Sequence, residues 1–402
     1  MTQVDRLRSE GYTGRGLKIA VIDSGIDYTH PALGNGCFGK GCLVSFGTDL
    51  VGDDFTGGNE PKAGGNPMDC SGHGTHVAGI IAAQPNRMGF TGAAPGVRLG
   101  AYRVFGCKGQ SSFDVLISAF NQAYEDGADM ISASIVGVNG WKDEPWATAV
   151  SRIAEQGVPC VVSSGNDGGM GLFYVSTAAN GKAVTAIAAF DNAVTPTLLY
   201  RSRFRVDEDK AVEFGYALGD ETQWNVSARL WALGTNETDE YNGCGPLPAG
   251  TPDLGERIVL LRRGECTFEQ KANNVADGGA RRVIFYNNVA GAFAPEVGGA
   301  TRRLLAVAMV QAPVGQAWMR LLRKGRRVAV DMAAPSINDS YMVRATKTPT
   351  GGALSVMTSW GPTWEMDVKP QFGAPGGNIL STYPVAKGGY VVLCAARGIP
   401  SC

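Results

Sequence analysis

The sequence predicts an α/β protein, a parallel sheet flanked by helices and interrupted by an inserted second unit. Short apolar runs at 17–22, 97–104, 128–136, 158–163 and 183–189 each read as a buried strand. Helical patterns lie between several of them, an alternation that argues for parallel strands covered by helices. After about Asp191 the rhythm changes to a long polar stretch, and a second small set of elements begins near Arg257. At 402 residues the chain is too long for one average domain.

The first strand, Leu17-Lys-Ile-Ala-Val-Ile22, is bounded by Gly16 and by Asp23-Ser-Gly, as a buried strand running into a loop should be. Residues 112–125 carry helix chemistry: Ser112 as cap, Val115, Leu116, Ala119, Phe120, Ala123 and Tyr124 on one face, and Gly127 as the stop. A second helix follows the same grammar, with Asp143 as cap, Pro145 in the first turn, Trp146, Ala149, Val150 and Ile153 as its stripe, and Gly157 at its end. In the later region 257–262, 282–286 and 306–310 read as strands, and 268–277 and 314–324 as helices. The expected organisation is a first part over 1–190, an insertion over 191–346, a continuation over 347–393 and an aberrant tail over 394–402.

Charge is balanced at a net −1, and the pairs Arg262-Arg263, Arg302-Arg303 and Arg326-Arg327 are scattered, so they read as solvated surface and nucleic acid is not an expected partner. No apolar stretch approaches the length of a bilayer-spanning helix, and the opening residues lack the apolar centre of a secretory signal. No membrane partner is expected. Asn225-Val-Ser, Asn236-Glu-Thr and Asn338-Asp-Ser have the form of glycosylation acceptors and together lean towards export. Of nine cysteines, Cys37 and Cys42 are the close pair and lack a partner pair at zinc-site spacing, which favours a local disulfide. The pairing of Cys70, Cys107 and Cys160 stays open.

Three motifs carry the chemistry. Ala20-Val-Ile-Asp23-Ser-Gly puts a carboxylate at the carboxyl edge of the sheet, where ligands gather in open α/β folds, although capping a turn would equally use an Asp there. Ser71-Gly-His73-Gly-Thr-His76-Val-Ala-Gly79 places His73 at the start of a helix, able to hold one ring nitrogen on a carboxylate and take a proton on the other. Metal ligation by His73 and His76 is the alternative, but no Glu stands between them in the hydrolytic zinc pattern. Val162-Ser-Ser-Gly-Asn166-Asp-Gly168 ends another strand with a side-chain amide, an ordinary turn by itself and an oxyanion donor in company with Asp23 and His73.

In that order these motifs resemble the subtilisin-like serine proteases. The resemblance implies Asp23 as orienting acid, His73 as general base and Asn166 as oxyanion-hole side chain, with His76 outside catalysis. Gly109, Gln110 and Ser111 resemble the edge that pairs with extended substrate backbone, and Ser134, Ile135, Val136 and Gly137 the opposite edge and specificity-pocket wall. Val136 stands where the family usually has Gly, which should narrow the pocket. Residues 191–346 resemble a protease-associated insertion, within which Cys244 and Cys266 are placed to pair. The implied partner is a protein or peptide substrate; no cofactor is required, and structural calcium, common in the family, is not assigned to residues. Family resemblance implies a secreted protein.

The pattern breaks after Gly388-Gly-Tyr-Val-Val-Leu393. Where the family reads Ser-Gly-Thr-Ser-Met-Ala, this chain reads Cys394-Ala-Ala-Arg397, so Arg397 occupies the nucleophile's place and Ser401 stands in the wrong context. The helix that the nucleophile opens in the family would also be missing, leaving a trough on the sheet. The sequence is therefore expected to be an inactive fragment of a serine endopeptidase, cut at both ends; the alternative is a non-catalytic, peptide-binding pseudoprotease.

Overall fold

Successive side chains of a strand point to opposite faces, so a strand covered on both faces is buried continuously. In the computed structural model Ala20 and Ile22 point to one side of β1 (Lys18–Asp23) and Val21 to the other, all three buried. The structure describes residues 2–108, 110–137, 139–194, 196–289, 291–295, 297, 303–336, 339–344, 350–377, 379–385 and 391–394. The chain divides into two compact units, Met1–Ala193 with Lys347–Cys402, and Val194–Thr346.

The first unit opens with a short helix α1 (Val4–Ser9), then β1, β2 (Val44–Asp49), α2 (His73–Ala82), β3 (Arg98–Arg103), α3 (Phe113–Glu125), β4 (Met130–Ala133), α4 (Pro145–Glu155), β5 (Cys160–Ser163) and β6 (Thr185–Phe190). The second contains β7 (Pro196–Val206), β8 (Val212–Thr222), β9 (Val226–Ala232), β10 (Arg257–Arg262), α5 (Phe268–Asp277), β11 (Arg282–Tyr286), β12 (Ala306–Val310), α6 (Ala312–Arg323), β13 (Val328–Met332) and β14 (Ser340–Arg344). The chain then returns to the first unit with β15 (Phe372–Pro375), β16 (Ile379–Thr382) and β17 (Val391–Cys394).

The first unit's sheet is seven-stranded, in the order β15-β6-β5-β4-β1-β3-β2, and every ladder in it is parallel. All carboxyl ends therefore lie along one edge. On one face α3 and α4 bury Ala20, Ile22, Tyr102, Ile131, Ala133, Val162 and Ala186. On the other, α2 packs Ala78 and Ala82 over Val21, Leu99 and Ala101. Register carries that second face from Val21 to Ser132, Val161 and Thr185, and there the cover thins: Ser132, Val161, Ser163, Thr185 and Ile187 are only half-buried.

The cap of α4 is Glu144 rather than Asp143. The Glu144 carboxylate accepts from the amides of Trp146 (2.9 Å) and Ala147 (3.3 Å), while Asp143 is exposed. Tyr124, read into the apolar stripe of α3, is exposed as well.

In the second unit β13-β9-β10-β11-β12-β8-β7 closes on itself through β13–β7 pairing, and β14 joins the remaining length of β7. Helix α5 packs on one layer of its apolar residues, while Trp318 and Met319 of α6 join the other. The stretch read as merely polar folds into β7, β8 and β9. Arg262 is not solvated surface: it is buried, donates to Glu237 O (2.6 Å) and pairs with Glu240 (3.2 Å). Disulfides join Cys37–Cys42, Cys70–Cys107 and Cys244–Cys266, and Cys160 is a buried free thiol.

Candidate active site

Asp23 is the last residue of β1 and His73 the first of α2, so the sheet edge and the helix start deliver an acid and a base to one point. His73 Nδ1 donates to Asp23 Oδ1 at 2.7 Å. Asp23 is buried, whereas a third of the His73 side chain (33 %) meets solvent. The bond engages Nδ1 and leaves Nε2 as the nitrogen able to exchange a proton with a reacting group. The charge of Asp23 pushes the His73 pKa up to about 9, with a smaller contribution from Asp69 and against the opposing effect of burial.

The glycines of the motif make this approach feasible. A Cβ on Gly74 would lie 2.2 Å from the Gly25 carbonyl oxygen, so no other residue lets the first turn of α2 come so close to the loop after Asp23. His76, one turn along, bonds the Ile379 carbonyl through Nε2 (3.0 Å) and ties α2 to β16. Among the described residues, no group of three or more candidate metal ligands contains His73 or His76.

Parallel register brings the remaining motif residues to the same edge. Ile22 is level with Ala133, and Ala133 with Val162. Asp23, Ser134 and Ser163 thus share one rung, and with strands ~4.8 Å apart the ends of β1 and β5 are about 10 Å apart. Asn166 follows three residues later, exposed, in the bend after Gly165.

Between these ends the segment 134–137 is pinned from beneath. The Gly137 amide donates to Ser176 Oγ (3.1 Å), and its carbonyl accepts from the Thr177 amide (2.9 Å). The Gly137 backbone is thereby occupied within the protein, while Val136 beside it is exposed. Ser134 is half-buried and Ile135 buried.

On the far side, Gln110 rests on the preceding loop through its amide and Thr56 O (3.3 Å), and is exposed, as a pairing edge must be; Ser111 is half-buried. Gly109, Arg397 and Asn338 lie outside the described residues. Asn225 and Asn236 are exposed.

Several contributors escaped the sequence reading. Asp69, four residues before His73, is buried and accepts hydrogen bonds from both motif loops. Cys70–Cys107 joins the loop before α2 to the segment leading to Gln110, and Arg103 lies against it, 3.0 Å from Cys70 Sγ and 2.8 Å from Asp53. The signal for Asp69 was present as an acid just ahead of a helix start. Asp53, Cys70 and Cys107 cluster closely enough to suggest a metal site, but both sulfurs are spent on each other.

The family model of the subtilase family matches residues 14–395. The minor extracellular protease Vpr of Bacillus subtilis is 30 % identical over 382 residues, covering 93 % of this chain and 42 % of Vpr. Subtilisin E of the same organism is 34 % identical over 165 residues, 41 % of this chain and 38 % of subtilisin E. The crystal structure of the psychrophilic subtilisin-like protease Apa1 from an Antarctic Pseudoalteromonas superposes with a TM-score of 0.49 at 20 % identity, over 87 % of this chain and 83 % of Apa1. The chain thus spans less than half the length of these two curated Bacillus relatives. With a family model matched along nearly its whole length, the chain belongs to the subtilase family of subtilisin-like serine proteases.

Proposed function

We propose that this chain supplies the acid–base and oxyanion parts of a serine endopeptidase that hydrolyses protein or peptide bonds. The observation that carries the reading is the 2.7 Å bond from His73 to the buried Asp23 at the carboxyl edge of the sheet. In this reading Asp23 fixes the imidazole and stabilises its protonated form, and His73 takes the proton of an attacking hydroxyl and returns it to the leaving amine. Asn166 donates its amide to the oxygen on which negative charge develops. Substrate backbone lies between 109–111 and the exposed Val136 edge of 134–137, as an added strand.

Within these 402 residues no Ser-Gly-Thr-Ser-Met-Ala stretch follows Leu393. Arg397 stands at the nucleophile's place in the motif, and a base without a nucleophile forms no acyl-enzyme. The 402 residues alone are accordingly proposed to be inert. The second unit is read as a protease-associated insertion. Export fits the three disulfides and the exposed sequons at Asn225 and Asn236.

The test is to express residues 1–402 beside a form extended after Leu393 with Ser-Gly-Thr-Ser-Met-Ala and a covering helix. Both are treated with a fluorophosphonate and assayed on casein. The extended form should label and cleave, and His73→Ala should abolish both. Labelling of the short form that depends on His73 would overturn the assignment of the missing nucleophile. An extended form that folds and binds peptide without cleaving it would favour the pseudoprotease.

A further inference from the structure

The acid and the base come from segments fifty residues apart, and the 2.7 Å bond between them needs both to be held. One buried side chain touches both segments. Asp69 Oδ1 accepts from the amides of Ser71 (2.8 Å) and Gly72 (2.8 Å) and from Ser24 Oγ (3.0 Å). Its Oδ2 accepts from the Thr75 amide (3.0 Å) and Thr75 Oγ1 (2.5 Å). Ser24, next in the chain after Asp23, in turn accepts from the Gly74 amide at 2.9 Å.

This arrangement answers a local need. The first amides of a helix have no partner within it, and the cap position of α2 is Gly72, which offers no side chain. Asp69 serves those amides from outside the helix. Because it also takes the Ser24 hydroxyl, capping α2 and positioning the loop after β1 become one event. An Asn could accept on one oxygen only, and its amide hydrogens would face either Thr75 N–H or the Ser71 and Gly72 amides.

We propose that Asp69 is a positioning residue of the acid–base pair: through Ser24 on one side and Ser71, Gly72 and Thr75 on the other, it holds Asp23 and His73 at hydrogen-bonding distance. The inference rests on the reading of His73 as the general base. The acidic groups acting on His73 are Asp23 at the end of β1 and Asp69 in the loop before α2. Loss of Asp69 therefore acts twice on His73, by removing a charge and by loosening the bond to Asp23.

The experiment follows the imidazole signals of the full chain by NMR, a tractable spectrum because the sequence has three histidines. The wild type, Asp69→Asn, Ser24→Ala and Asp23→Asn are titrated, with overall signal dispersion reporting the fold. Asp69→Asn should measurably lower the proton affinity of His73 and weaken the low-field Nδ1 proton signal. Ser24→Ala retains the charge, should leave the fold intact and should weaken the same proton signal with a smaller fall in affinity. If Asp69→Asn does not fold, Ser24→Ala alone decides. A folded variant in which affinity and low-field signal match wild type shows that Asp69 only caps α2 and overturns the proposal. If wild-type His73 itself titrates normally and Asp23→Asn changes nothing, the acid–base reading has failed, a result distinct from failure at Asp69 alone.

Discussion

Raising the pH from 6 to 9 should remove a defined part of the stability of the first unit, and Asp23→Asn should abolish that part. His73 keeps its proton up to about 9 in the folded chain and releases it near ~6.5 when unfolded. Between those values the folded form binds more protons than the unfolded one, so stability falls as pH rises. The contribution is fully present below about 6.5 and is lost as the pH climbs through the folded value.

A shift of this size corresponds to ~3 kcal/mol if fully expressed. With a third of the His73 side chain in solvent, screening reduces the expected loss to about 1–2 kcal/mol. Lys271 and Lys369 act the other way, because burial pushes both down to about 8 and their unfolded values lie near ~10.4, so they add stability as pH rises above 8. Subtracting the Asp23→Asn curve from the wild-type curve cancels both lysines. Urea unfolding followed by tryptophan fluorescence at fixed ionic strength, at several pH values from 6 to 9, gives the difference. A wild-type minus variant difference that stays constant across this range would refute the reasoning.

Removing the Cys70–Cys107 disulfide as Cys70→Ala/Cys107→Ala should lower unfolding stability appreciably. The bond closes a separation of 37 residues, and the chain-entropy account gives about 4 kcal/mol for such a loop; no shift in the urea midpoint would show that the constraint is offset in the folded state. In the extended form, Val136→Gly should raise cleavage after Trp and Tyr in a peptide library relative to smaller side chains. An unchanged preference would remove Val136 from the specificity pocket.

The first unit was legible where chemistry and periodicity coincided. The run ending at Asp23 is apolar because both faces of the sheet are covered there, those ending at Ala133 and Ser163 are fully buried on alternate residues, and the motif residues lie at or just after their ends. By contrast β7 was hidden: Arg201, Arg203 and Arg205 alternate with Ser202, Phe204 and Val206, so half the strand faces solvent and its mean character is polar. Arg262 and Lys271 were unreadable as interior residues, since burial of a charge depends on partners such as Glu240 supplied by a distant loop. Asp69 belongs with them. Its role depends on Ser24, 45 residues earlier, a distance that only folding closes.

The second unit begins and ends on one ladder, with Pro196 opposite Arg344. Partners across such an antiparallel pair stand about 5 Å apart, little more than one peptide step. A segment of some 150 residues thus departs and returns through a doorway that a short turn would also close. Gaining or losing it asks almost nothing of the backbone on either side, so the subtilase framework can take on a whole additional domain at that position, or exchange it for another, while Asp23, His73 and Asn166 stay on strand and helix ends encoded before the doorway opens.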